Sequence, residues 1–112
     1  MVIVVEKREF VTVVSIDGSV DGTTARELVS SLREQVSGGS PRLVGNLAGV
    51  DYTSSAGLRA LLETVKETRL HGGDLRLAAV RPEVLRVLEL SGFTSILQVF
   101  GDVEAAIASF AA

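Results

Sequence analysis

Apolar residues along the chain switch between two spacings, and the switches mark out the elements. Val2 to Val5 form a short β-branched run, and residues 10–16, FVTVVSI, form a second, with the polar stretch EKRE between them. Branched side chains pack well on a pleated surface, so the two runs predict a hairpin at one edge of a sheet. DGSVDGTT then interrupts with two glycine turn signals, and Thr23 or Thr24 offers a hydroxyl to cap the helix that follows. Ala25, Leu28, Val29, Leu32 and Val36 recur at helical spacing up to the breaker SGGSP.

Arg42 to Leu47 read as a short buried strand with Gly45 in its middle. In the next helix Leu58, Leu61, Leu62 and Val65 line one face, and HGGD ends it. Leu75 to Val80 make the following strand, and Pro82 opens a helix containing Val84, Leu85, Leu88 and Leu90, stopped by SGF. ILQVF, residues 96–100, is the last strand, and Asp102 caps a C-terminal helix over GDVEAAIASFAA. Strands alternating with helices predict an α/β fold: one domain over residues 1–112, with a mixed, mostly parallel sheet of about five short strands, about four helices and right-handed crossovers.

Composition narrows the function more than the fold. Only 4% of the 112 residues are aromatic, which leaves few rings to stack on nucleic acid bases. Eleven basic against fourteen acidic residues give a net charge of -3 with no basic run, which speaks against reading a phosphate backbone. With no cysteine, disulfides, thiolate catalysis and thiolate metal sites drop out. The start MVIVVEKREF turns charged too soon for a signal peptide, and no run of about 18 apolar residues follows, so a soluble, cytoplasmic protein without membrane insertion is expected.

Familiar chemistries fail on spacing. Neither DGSVDG nor SAG makes a dinucleotide fingerprint, and GVDYTSSAG lacks the lysine of a phosphate loop. His71 is the one histidine, beside Gly72 and Gly73 at a helix end, and has no second histidine or cysteine with which to build a familiar metal cluster. A helix rising 1.5 Å per residue would hold it about 24 Å from Ser55, too far to serve as that serine's base. The expectation is a protein that is not an enzyme and needs no cofactor or metal.

What remains is the hydroxyl cluster Tyr52, Thr53, Ser54 and Ser55, followed by Ala56 and Gly57. One reading is purely structural: Ser54 caps the helix, and the small pair lets helix and sheet approach closely. The other adds a switch at Ser55. A phosphate there brings roughly 1.5 to 2 negative charges to the positive end of a helix, which the fold tolerates and a partner packed on a neutral hydroxyl does not.

LAGVDYTSSAGLRALL, preceded by RLVGN and followed by GGDLRLAAV, resembles the anti-sigma factor antagonist branch of the bacterial STAS family. IDGSVDGTTA and the late VLELSGFTSILQVFGDVEAAIASF occur in the family's order, so the likeness spans nearly the whole chain. The resemblance implies a non-enzymatic switch that binds an anti-sigma factor with a GHKL-type serine kinase domain and so releases a sigma factor. It maps the phosphoacceptor onto Ser55, two residues before Gly57, and implies a partner face of Asp21, Ser54, Ser55, Gly57, Leu58 and Arg59. A cognate phosphatase and a weak homodimer through the last helix stay open. Asn46 stands where the family commonly has Asp, which implies one less negative charge near the switch. Alternative roles on the same fold are a scaffold subunit of a stress-sensing complex or of a lipid transporter, and a weaker one is an anion site between DGSVDG and the serine motif.

Overall fold

The two spacings become two kinds of layer in the computed structural model, which describes residues 1–111. Strands β1 (Val2–Lys7) and β2 (Thr12–Asp17) form the hairpin, and helix α1 (Ala25–Ser37) leads to β3 (Arg42–Gly49). Helix α2 (Ser55–Leu70), β4 (Asp74–Ala78), α3 (Pro82–Leu90), β5 (Val99–Phe100) and α4 (Val103–Ser109) follow, with a single 3-10 turn at Phe93–Ser95. The sheet order is β1-β2-β3-β4-β5; β1 runs antiparallel to β2 and the other pairs are parallel. The α/β class and the mixed, mostly parallel five-stranded sheet with four helices agree with the sequence pattern.

Because each crossover joins neighbouring strands with the same hand, α1, α2 and α3 collect on one face of the sheet. Leu28, Leu32, Leu61, Val65 and Leu88 meet Val14, Leu43, Leu47, Leu75 and Leu77 there in the larger core. Alternate residues of the same strands, Val13, Val44 and Ala78, turn to the other face, where Ala106 of α4 completes a smaller core.

Several elements differ locally from the sequence pattern. Phe10, expected in the second strand, lies in the hairpin turn and is 67% exposed, because Arg8 and Val11 close that turn by a backbone bond of 2.8 Å. The buried stripe of α2 is rotated from the leucine stripe: Gly57, Ala60, Leu61, Thr64, Val65 and Thr68 are buried, while Leu58 and Leu62 are half-buried. Thr64 and Thr68 tolerate burial because their hydroxyls donate to the carbonyls of Ala60 and Val65, each at 2.8 Å. Leu90 ends α3 and is 77% exposed, unlike Val84 and Leu88 of the same helix, which are buried. Strand β4 stops at Ala78 because Ala79 takes a positive φ of 56°, which costs a non-glycine residue about 1 kcal/mol and turns the chain out of the sheet. Ile96 and Leu97 donate their amides to the Phe93 carbonyl at the close of the 3-10 turn, leaving only Val99 and Phe100 as strand.

One polar cluster ties both faces together. The carboxylate of Asp74, at the start of β4, accepts from Arg69 Nε at 3.0 Å, Arg76 Nε at 3.1 Å and the Leu75 amide at 3.0 Å. Arg69 also donates to the Ile96 carbonyl at 2.6 Å, while Arg76 donates to Ser109 Oγ at 2.8 Å and lies 4.0 Å over the ring of Phe110. The side chains of Asp74 and Arg76 are only 12% and 17% exposed, so deleting the acid strands a largely buried cation. Asp74→Ala is expected to cost about 3 kcal/mol in urea unfolding; a loss below about 0.5 kcal/mol, the range of an ordinary surface change, would contradict this role.

Candidate functional site

Parallel strands present their following loops at one edge of the sheet, where α/β proteins place their working surfaces. Here the loops after β2 and β3 are stitched to one another. Gly18 donates to the Gly49 carbonyl at 2.9 Å, Val20 to the Tyr52 carbonyl at 2.9 Å, and Ser54 to the Val20 carbonyl at 2.8 Å. Val20 and Thr53 thus form an isolated parallel bridge beyond the strands, and Ser19 Oγ donates to Asp51 Oδ1 at 3.1 Å. The early glycine motif and the serine motif, far apart in sequence, become one surface. The void beneath them, lined by Val20, Thr53, Gly57 and Leu61 among others, has a volume of only about 10 Å³. Backbone pairing joins the two loops directly above this apolar void.

Asp21 organises the first loop. Its Oδ1 accepts from the amides of Thr23 at 2.9 Å and Thr24 at 3.0 Å and from the Thr23 hydroxyl at 2.7 Å, while Thr24 Oγ1 accepts from the Asp21 amide at 2.8 Å. This reciprocal arrangement is a capping box with Asp21 as its first member. It corrects the expectation that Thr23 or Thr24 caps α1: Thr24 already has helical backbone angles, and its hydroxyl makes no cap bond to the helix. The Thr23 hydroxyl bond, and then the amides of Thr24 and Thr23, lower the pKa of Asp21 to about 2.

The second loop ends in Ser54, whose extended backbone and Oγ, accepting from the Gly57 amide at 3.3 Å, make it the cap of α2. Ser55 is the first helical residue and is exposed; its hydroxyl bonds to no other group among the described residues. Gly57 is buried where α2 crosses the bridge: an added Cβ would lie 2.8 Å from Val20 Cγ1 and would collide with Thr53 Oγ1. Leu58 packs partly onto the larger core, so it is not a freely exposed member of the face. Arg59 is exposed and lines an open groove of about 950 Å³ between α1 and α2, together with Arg26, Arg33, Ala56 and Ala60.

The structure therefore brings Asp21, Ser54, Ser55, Gly57, Leu58 and Arg59 to one end of the molecule, in different roles: caps, an exposed hydroxyl, a close-contact glycine, a core anchor and a groove cation. Two other features carry little sequence signal. Tyr52 is 54% exposed beside the cap, and Val20 is the buried anchor of the bridge. Asn46 shares a strand face with Val44 rather than with Leu43 and Leu47, and it bonds Ser15 Oγ and the Ala48 amide, each at 3.1 Å. Its missing charge thus belongs to the sheet face opposite α2, not to the space beside Ser55. His71 sits at the far end of α2, its Nδ1 2.9 Å from the Glu67 carbonyl, as a helix-terminal residue.

A family-wide profile of the STAS domain matches residues 2–106. BtrV of Bordetella bronchiseptica, which carries the name anti-sigma factor antagonist, is 38% identical over 98% of this chain and 95% of its own. The crystal structure of an anti-sigma factor antagonist from Mycobacterium paratuberculosis superposes with a TM-score of 0.85 at 27% identity, covering 96% of this chain and 92% of that one. SpoIIAA shares the fold alone: its unphosphorylated form has a TM-score of 0.74 at 16% identity over 97% of each chain. Its phosphorylated form, from Bacillus, has a TM-score of 0.75 at 17% identity over 97% of this chain and 99% of that one. The chain belongs to the STAS domain family, within which it falls among the anti-sigma factor antagonists, regulatory proteins without catalytic machinery of their own.

Two outcomes test this geometry. Gly57→Ala should cost about 1 to 3 kcal/mol in chemical unfolding and speed amide exchange at Val20 and Ser54, because helix and bridge must separate; unchanged exchange would mean that the close approach is not required. Asp21 should titrate near pH 2, below its ordinary value of 3.8, when followed by carboxylate NMR. A depressed folded pKa makes the loop's contribution to stability complete above the unfolded value and lost as pH falls through the folded one. Asp21→Asn should abolish that acid-dependent part.

Proposed function

We propose that the protein is a phosphorylation-controlled anti-sigma factor antagonist. Unphosphorylated, it binds an anti-sigma factor that carries a GHKL-type serine kinase domain, and a sigma factor is released. The partner's kinase domain, supplying ATP and magnesium, then transfers the γ-phosphoryl group to Ser55 Oγ; ADP leaves, and the hydroxyl proton passes to a base or to solvent. A cognate phosphatase restores the hydroxyl. Asp21, Ser54, Gly57, Leu58 and Arg59 build the face around it.

The observation that carries this reading is the exposed, unengaged Ser55 hydroxyl at the first position of α2, beside a serine that already performs the capping. Division of labour explains how charge is added without unfolding. Phosphate on Ser54 would disturb the bond to the Gly57 amide, whereas phosphate on Ser55 meets the positive end of the helix with the cap intact. SpoIIAA, solved in both forms on this fold, supports the idea that the architecture tolerates phosphate. A loss of only about 1.4 kcal/mol in partner binding shifts affinity tenfold, enough to redirect a sigma factor between partners.

Incubation with the cognate kinase and ATP, followed by peptide mapping, should place the label on Ser55. Ser55→Ala should keep its circular dichroism spectrum and bind the kinase with near wild-type affinity yet take no label, whereas Ser55→Asp should bind at least several-fold more weakly in calorimetry. Label at another residue, or equal affinity for all three proteins, would overturn the reading.

A further inference from the structure

The hydroxyl proposed to gain charge stands one helical turn from an uncommitted cation. Ser55 and Arg59 are both exposed on α2 at positions i and i+4, which places their Cβ atoms about 5 to 6 Å apart on one side of a helix. Among the described residues, ion pairs join Arg8 to Glu6 and Glu104, Arg33 to Glu63, and Arg69 and Arg76 to Asp74, with His71 near Glu67; none includes Arg59. The carboxylate that α2 itself offers Arg59 one turn further on is Glu63, and that group lies 3.9 Å from Arg33 of α1 instead. Arg59 is thus left facing the groove between the two helices.

Order along the helix matters. An anion N-terminal to a cation at i,i+4 is the favourable arrangement, and phosphate at the first position of α2 also meets the positive end of the helix dipole. Guanidinium matches phosphate through paired N–H donors, a geometry a lysine ammonium does not reproduce.

We infer that Arg59 is the internal counter-charge of phosphate on Ser55, an inference that rests on Ser55 being the phosphoacceptor. In the unphosphorylated protein its guanidinium is free in the groove to meet an acidic group of the partner. Phosphorylation draws it back onto its own helix. The modification then acts twice on one surface: it adds negative charge at the helix start and withdraws a positive group from the groove. Arg59 is a positioning residue in this scheme, and it touches no reacting atom.

The test uses full-length protein with phosphoserine installed at position 55 during translation, so it needs no kinase. Phosphorus NMR titration should give a second phosphate ionisation below the ordinary value of about 6. Arg59→Gln should raise it by about 0.4 unit, roughly 2.5-fold in the ionisation constant, and Arg59→Lys should restore part of the shift. Arg86→Gln, an exposed change on α3 outside the groove, should leave it unchanged, and amide spectra of each variant report an intact fold. An Arg59→Gln protein that is folded and titrates as wild type would overturn the inference. Failure of the Ser55 assignment reads out separately, as kinase label on another residue.

Discussion

Everything at the working end of this molecule hangs on the short backbone pairing of Val20 with Tyr52 and Ser54. The β2–β3 ladder is disturbed between Ser15 and Asp17, and this bridge resumes it beyond the strand ends. Backbone groups in loops would otherwise be satisfied by water. Pairing them to each other instead gives the two loops a common floor, and α2 can be laid across that floor only because Gly57 has no side chain. A loop pair that moved independently could not hold an exposed hydroxyl and its cap in a defined relation.

Packing above that floor favours closeness over bulk. The face that α2 buries contains Gly57, Ala60, Thr64 and Thr68 as well as Leu61 and Val65, so the helix sits near the sheet while leucines from α1, α3 and the strands supply most of the apolar volume. The threonines keep their hydroxyls satisfied within the helix and so add no unpaired polar group. At the opposite end, Asp74 and its two arginines bind the end of α2 to β4 and, through Ser109 and Phe110, to the small core under α4. The molecule is anchored at one end by charge and at the other by backbone pairing, and in the first turn of α2 Ser54, Gly57 and Leu58 carry the structural contacts while Ser55 stays exposed.

That exposure suits a surface whose proposed task is to change charge and keep its shape. Asp21 spends its carboxylate on its own loop, held by Thr23 and Thr24. Its charge is therefore fixed in place rather than offered on a mobile chain, on the same end of the molecule as an exposed tyrosine and a groove lined by both arginines and glutamates. Rigid presentation lowers the ordering cost of association and makes the fit sensitive to one added group.

The order of elements, the α/β class, the cap at Ser54 and the cap at Asp102 were legible in the sequence, because spacing and capping are local properties carried by neighbouring residues. The exposed place of Ser55 just inside the helix followed from the same local logic. Tertiary structure alone decided that Asp21 rather than Thr23 or Thr24 caps its loop, that α2 buries Gly57, Ala60, Thr64 and Thr68 beside the expected Leu61 and Val65, and that Asn46 faces away from the serine motif. It also decided that two glycine-marked loops, thirty-odd residues apart, close on each other through Val20 and Thr53. Those outcomes depend on how strands align and how nearly a helix can approach them, distances set by the whole packed sheet and by no single stretch of chain.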